Sequence, residues 1–120
     1  MAALVEGVVE RWFTPAFRAE NPGAVGKMAR TLRETDTGGY AGCCAAIRDM
    51  DLRDRLPSVA APTLVVSGAE DPATPPENGR LIADAIPGAR FEVVPDTAHI
   101  ANVERPEKIT QLIMTHLEAR

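Results

Sequence analysis

Two stretches decide how this chain is read: LVVSGAEDPATPP at residues 64–76 and FEVVPDTAHIANVERPE at residues 91–107. Each begins with a short apolar, β-branched run and then breaks into a loop rich in proline, acid and small residues, the pattern of a strand buried on both faces of a parallel sheet. Leu81, Ile82, Ala85 and Ile86 mark a helix between them, ended by Pro87-Gly88. Pro106 opens a last helix with Ile109, Leu112, Ile113 and Leu117 expected to face inward. The result is a β-α-β-α unit whose crossover should be right-handed.

In doubly wound sheets, reactive groups collect beyond the carboxyl ends of the strands, where the loops converge. Asp71 and His99 both fall there, in the order that would supply an acid and a base to a nucleophile. Taken singly, each has a plainer explanation, Asp71 as turn chemistry before Pro72 and His99 as a polar loop residue. Together they point to a carboxylate that fixes the tautomer of an imidazole and stabilises its charged form.

Upstream, the first fifty residues carry helical signals. Leu4, Val5, Val8, Val9 and Trp12 share one stripe, so residues 3–13 read as an amphipathic helix stopped near Pro15. Asn21-Pro22 reads as a cap and first turn for a second helix over residues 22–34, with Val25, Met28, Ala29 and Leu32 on its apolar face. Asp36 and Thr37 can cap a third, in which Tyr40, Cys43, Cys44 and Ile47 repeat at helical spacing. The expected organisation is therefore a helical segment, 1–50, and a β-α-β-α segment, 51–120. Two parallel strands make no stable sheet alone, so the unit reads as part of a larger α/β sheet.

Composition narrows the classes. With 120 residues, 45% apolar and 25% charged, the chain suits one ordinary globular core. A net charge of −4, with no dense Lys/Arg cluster, argues against nucleic acid. No apolar run approaches the roughly 20 residues of a membrane span, and Glu6 and Glu10 interrupt any signal-like leader, so a cytoplasmic location is expected. Cys43 and Cys44 are adjacent, which suits neither an ordinary disulfide nor a zinc site. No metal-ligand spacing or dinucleotide fingerprint occurs, and no cofactor is expected.

The C-terminal half resembles the final strands of an α/β-hydrolase, Gly68-Ala69-Glu70-Asp71 matching the acid turn and residues 98–106 the histidine loop and following helix. The resemblance extends to the 3-oxoadipate enol-lactonases through RWFTPAFR (11–18), GYAGCCAAIRDMDLRDRL (39–56) and SGAEDPATPPENG (67–79). It implies a partial α/β-hydrolase fold with three cap-like helices, Asp71 as triad acid and His99 as triad base. The implied reaction is hydrolysis of a small-molecule enol-lactone or ester in the β-ketoadipate pathway of aromatic catabolism.

The front of that fold has no counterpart here, since no G-x-S-x-G elbow occurs. The chain is therefore expected to lack a nucleophile, to be inactive alone, and to need either the N-terminal half of such an enzyme or self-association. Cys44 in GCCAA is a loose substitute, but an elbow follows a buried strand, and residues 35–42 are polar and glycine-rich. Ser58 sits in a proline-bounded linker, and Ser67 ends a strand without elbow glycines. Trp12 and Arg33 are candidate substrate-binding residues, with packing and solvation as their plainer roles, and Arg48 is a further cationic candidate. Asp96 is a rival acid inside the histidine loop, and His116 suits a helix C-terminus.

Overall fold

The computed structural model describes residues 2–119. Its N-terminal layer contains α1 (Ala2–Trp12), α2 (Pro15–Glu20), α3 (Pro22–Glu34) and α4 (Thr37–Asp49). The expected three helices are thus joined by a fourth, the six-residue α2, whose start is set by Thr14: its hydroxyl accepts the Phe17 N–H and Pro15 occupies the first turn. Asn21 does not act as the expected side-chain cap of α3; its backbone N–H closes α2 instead. Asp36 does cap α4, accepting the Gly39 N–H at 2.6 Å.

One apolar core sits in this layer. Val5, Val8, Val9, Phe13, Phe17 and Leu32 are buried together, with Trp12, Val25, Met28 and Ala29 packed around them. The Phe13 and Phe17 rings stack with centroids 5.4 Å apart. Ile100 and Val103, from the far end of the chain, join the same cluster. The cap-like helices and the histidine loop consequently share a core.

A 3-10 turn at Arg53–Ser58 leads to β1 (Leu64–Gly68), α5 (Pro76–Ala85), β2 (Arg90–Val94), the short α6 (Ala101–Glu104) and α7 (Pro106–Glu118). The strands pair in parallel, from Leu64↔Arg90 to Gly68↔Val94, so both end at the same level. Gly79 brings α5 close against them, as a Cβ there would stand 2.3 Å from Ser67 Oγ and 2.7 Å from the Phe91 ring.

Several faces expected to be inward are bare. Leu81 is 69% exposed, and Ile82, Ile113 and Leu117 are also exposed, leaving Leu112 as the buried residue of α7. α4 buries none of its residues: Ile47, Cys43 and Cys44 are exposed. Helical periodicity identifies the side that gains from cover, and burial requires a second surface that no described residue supplies here.

Candidate functional site

The equal ending of β1 and β2 sends their following loops off one edge of the sheet. The loops are then stitched together, Ala69 N–H donating to the Val94 carbonyl at 2.9 Å and Glu70 N–H to the Thr97 carbonyl at 2.8 Å. This contact depends on Gly68: a Cβ at that position would lie 2.2 Å from the Ala98 oxygen and 2.7 Å from that of Thr97. Thr97 is fully buried, with its hydroxyl on the Val94 carbonyl, and Asp96 takes the left-handed conformation (φ 53°) that turns the chain.

These constraints bring Asp71 and His99 together, with Nδ1 2.8 Å from Asp71 Oδ2. The carboxylate is buried, its side chain 5% exposed, whereas the imidazole retains 34%. Oδ1 accepts the N–H groups of Ala73 (2.8 Å) and Thr74 (3.0 Å), and Oδ2 accepts the Thr74 hydroxyl at 2.7 Å. Burial pushes the Asp71 pKa up, but the hydrogen bonds from Thr74, His99 and Ala73 outweigh it, and the net direction is downward. The acid therefore stays ionised and accepts from Nδ1–H, leaving Nε2 without a hydrogen bond among the described residues. An imidazole so held can take a proton at Nε2 and return it.

Thr74 escaped the sequence reading. Its hydroxyl lies 3.3 Å from Nδ1 as well as on Oδ2, and an Asp followed three residues later by Thr in a proline-rich turn is the signal that could have found it. Glu104, buried beneath the histidine loop, was missed too, because a carboxylate in the charged stretch Glu104-Arg105-Pro106-Glu107-Lys108 reads as solvated.

The other candidates lie elsewhere. Trp12 packs on the helical core and Arg33 is exposed, making no side-chain hydrogen bond or ion pair among the described residues. Arg48 pairs with its neighbour Asp49 at 2.7 Å. Cys44 lies inside α4 rather than after a strand, and the helical stripe it belongs to leaves it on the surface. Ser58 bonds the Arg55 carbonyl, and Ser67 points at Gly79. Asp96 is exposed and lies 4.0 Å from Arg105, while Nδ1 of His99 is engaged by Asp71. His116 Nε2 is 3.2 Å from the Pro62 carbonyl, tying α7 to the segment before β1 rather than serving only as a helix-end charge. No cluster of metal-ligating side chains occurs among the described residues.

The sequence pattern of the alpha/beta hydrolase fold matches residues 14–106. The chain belongs to that family. It is 36% identical over 112 residues to 3-oxoadipate enol-lactonase 1 of Acinetobacter baylyi, covering 93% of this chain and 42% of that protein. The crystal structure of the enol-lactonase from Burkholderia xenovorans superposes with a TM-score of 0.95 at 38% identity, over 98% of this chain and 45% of that one. A thermophilic esterase from Thermogutta terrifontis gives 0.90 at 29% identity, over 97% of this chain and 43% of that one. This α/β-hydrolase chain thus spans less than half the length of the relatives it matches. No described helix is long and apolar enough to cross a membrane.

Proposed function

We propose that this chain supplies the acid and the base of a carboxylic-ester hydrolase of the 3-oxoadipate enol-lactonase type, acting on a small lactone in the β-ketoadipate pathway. The observation that carries the reading is the 2.8 Å contact between Asp71 Oδ2 and His99 Nδ1 with Nε2 left open. The named enol-lactonases among its relatives support the substrate class. A serine on a G-x-S-x-G segment outside these 120 residues attacks the lactone carbonyl. His99 Nε2 takes the serine proton and delivers it to the departing enolate oxygen, and a water then repeats the cycle to release the acid. Asp71 holds the tautomer throughout.

The test is an assay on the enol-lactone and on p-nitrophenyl acetate, with the chain alone and mixed with an N-terminal portion of an enol-lactonase carrying the elbow. Turnover is expected only in the mixture, with a loss on the order of 10⁴-fold in His99→Ala. Turnover by the isolated chain that vanishes in His99→Ala would overturn the absence of a nucleophile, and a mixture indifferent to that substitution would overturn the role of His99.

A second reading, an inactive association module, is favoured by the bare apolar residues Leu81, Ile82, Ile113, Met114 and Leu117 and by β1 and β2 having only each other as strand partners among the described residues. A defined dimer in size-exclusion chromatography, without esterase activity in any mixture, supports it; a monodisperse monomer removes it.

A further inference from the structure

The two amides that flank His99 are both held by residues packed under the loop. Ala98 N–H donates to Glu104 Oε2 at 2.5 Å, and Ile100 N–H donates to the Trp12 carbonyl at 3.0 Å. Glu104 is only 4% exposed. Its other oxygen, Oε1, accepts both the N–H (2.8 Å) and the hydroxyl (2.9 Å) of Thr14, the residue that caps α2. One carboxylate therefore joins the beginning of a cap-like helix to the residue preceding the histidine, its bond to Thr14 alone crossing a sequence separation of 90.

The chemistry of this junction is specific to a carboxylate. Its three partners present only donors, counting the hydroxyl, which already accepts the Phe17 N–H at 3.2 Å. No Lys, Arg or His of the described residues forms an ion pair with it. A buried carboxylate without a cation persists where enough donors satisfy it. A glutamine of the same shape would turn an NH₂ toward the Ala98 N–H or toward Thr14 and leave at least one buried donor unmet. A packing role alone would be served equally well by an apolar side chain.

We propose that Glu104 is a positioning residue: with the Trp12 carbonyl it clamps the histidine loop to the Trp12–Thr14 junction, so that the cap sets where the His99 ring stands over Asp71. Its catalytic meaning rests on the hydrolase reading; the clamp itself does not, and it is measured without turnover.

The experiment uses the full ¹⁵N-labelled chain, whose only histidines are His99 and His116, so the ring signals are separable. In the unsubstituted chain His99 is expected as a single Nδ1–H tautomer with a protected Ala98 amide. In Glu104→Gln the Ala98 amide should exchange at least about tenfold faster, and the His99 ring should shift toward a tautomer mixture, while the Leu112 amide and the His116 ring stay as they were. Thr14→Val should give a smaller change in the same direction, and Thr14→Ser should restore the original signals. Ala98 and Leu112 accelerating by the same factor would reduce Glu104 to a general stabiliser and overturn the proposal. So would a His99 ring signature unchanged in Glu104→Gln or, should that variant not fold, unchanged in Thr14→Val. Loss of the clamp with an intact Asp71–His99 bond would leave the hydrolase reading standing, whereas that reading fails separately, in the activity assay.

Discussion

The helices α1 and α3 and the helices α5 and α7 are all amphipathic, yet the first pair closes its apolar residues into a core while the second pair buries Ala83 and Leu112 and leaves its larger apolar residues exposed. Val5, Val8, Val9, Phe13, Phe17 and Leu32 close a core among themselves, while Leu81, Ile82, Ile113 and Leu117 stand in the open. The polar machinery shows the opposite arrangement: Asp71, Thr97 and Glu104 are buried in or beside the β-α-β-α unit, with hydrogen bonds for their side chains. The helical layer thus supplies apolar cohesion, and the strand-loop unit supplies placement of charge. The two meet at Thr14 and Glu104.

The sharpest way to break this contrast is Phe13→Ala. Phe13 is 1% exposed at the centre of the helical core, and truncating a buried aromatic costs about 3–5 kcal/mol. Chemical denaturation should show a loss of that size, and a loss under about 1 kcal/mol would mean that the layer is not the seat of cohesion.

A smaller effect is expected from Gly68→Ala, which sets a methyl carbon against the Ala98 carbonyl. The clash should cost about 1–3 kcal/mol and separate the two loops. Loss of the single Nδ1–H tautomer expected for His99, with the helical core retained by circular dichroism, would place the damage in the strand-loop unit. An unaltered Nδ1 signal would show that the loops do not depend on their close approach at Gly68.

The mildest probe is pH. The Asp71 pKa lies below its unfolded value of about 3.9, so its contribution is complete above that value and is lost as pH falls through the lower folded pKa. Asp51, lowered to about 2 by its bond to Arg53, and Asp49, lowered by its bond to Arg48, change in the same direction and are common to both proteins compared. Between about pH 5 and pH 2, denaturation midpoints should fall less steeply in Asp71→Asn than in the unsubstituted chain; equal slopes would show that Asp71 carries no folded-state advantage.

Much of this molecule is legible in one dimension. The stripe Val5-Val8-Val9 and the face Val25-Met28-Leu32 repeat with the helical period, and the runs at residues 64–67 and 91–94 are short and β-branched, the first followed by Gly68 and the second by Pro95, so they declare helix or strand without reference to the rest of the chain. The places of Asp71 and His99, just past two strands that must run parallel, follow from the same patterns. The six-residue α2 was harder to see, being too short for a stripe and signalled only by Thr14-Pro15.

Linear order therefore determined the elements, their apolar sides and the two residues of the candidate pair, because side-chain periodicity and turn chemistry act over a few residues. Tertiary structure alone decided that Oδ2 meets Nδ1, that Thr74 joins them, that Gly68 must be bare, that Glu104 is buried against Thr14, and that some apolar faces stay open. Each of those outcomes depends on which distant surface arrives at a given point in space, and local periodicity carries no information about that.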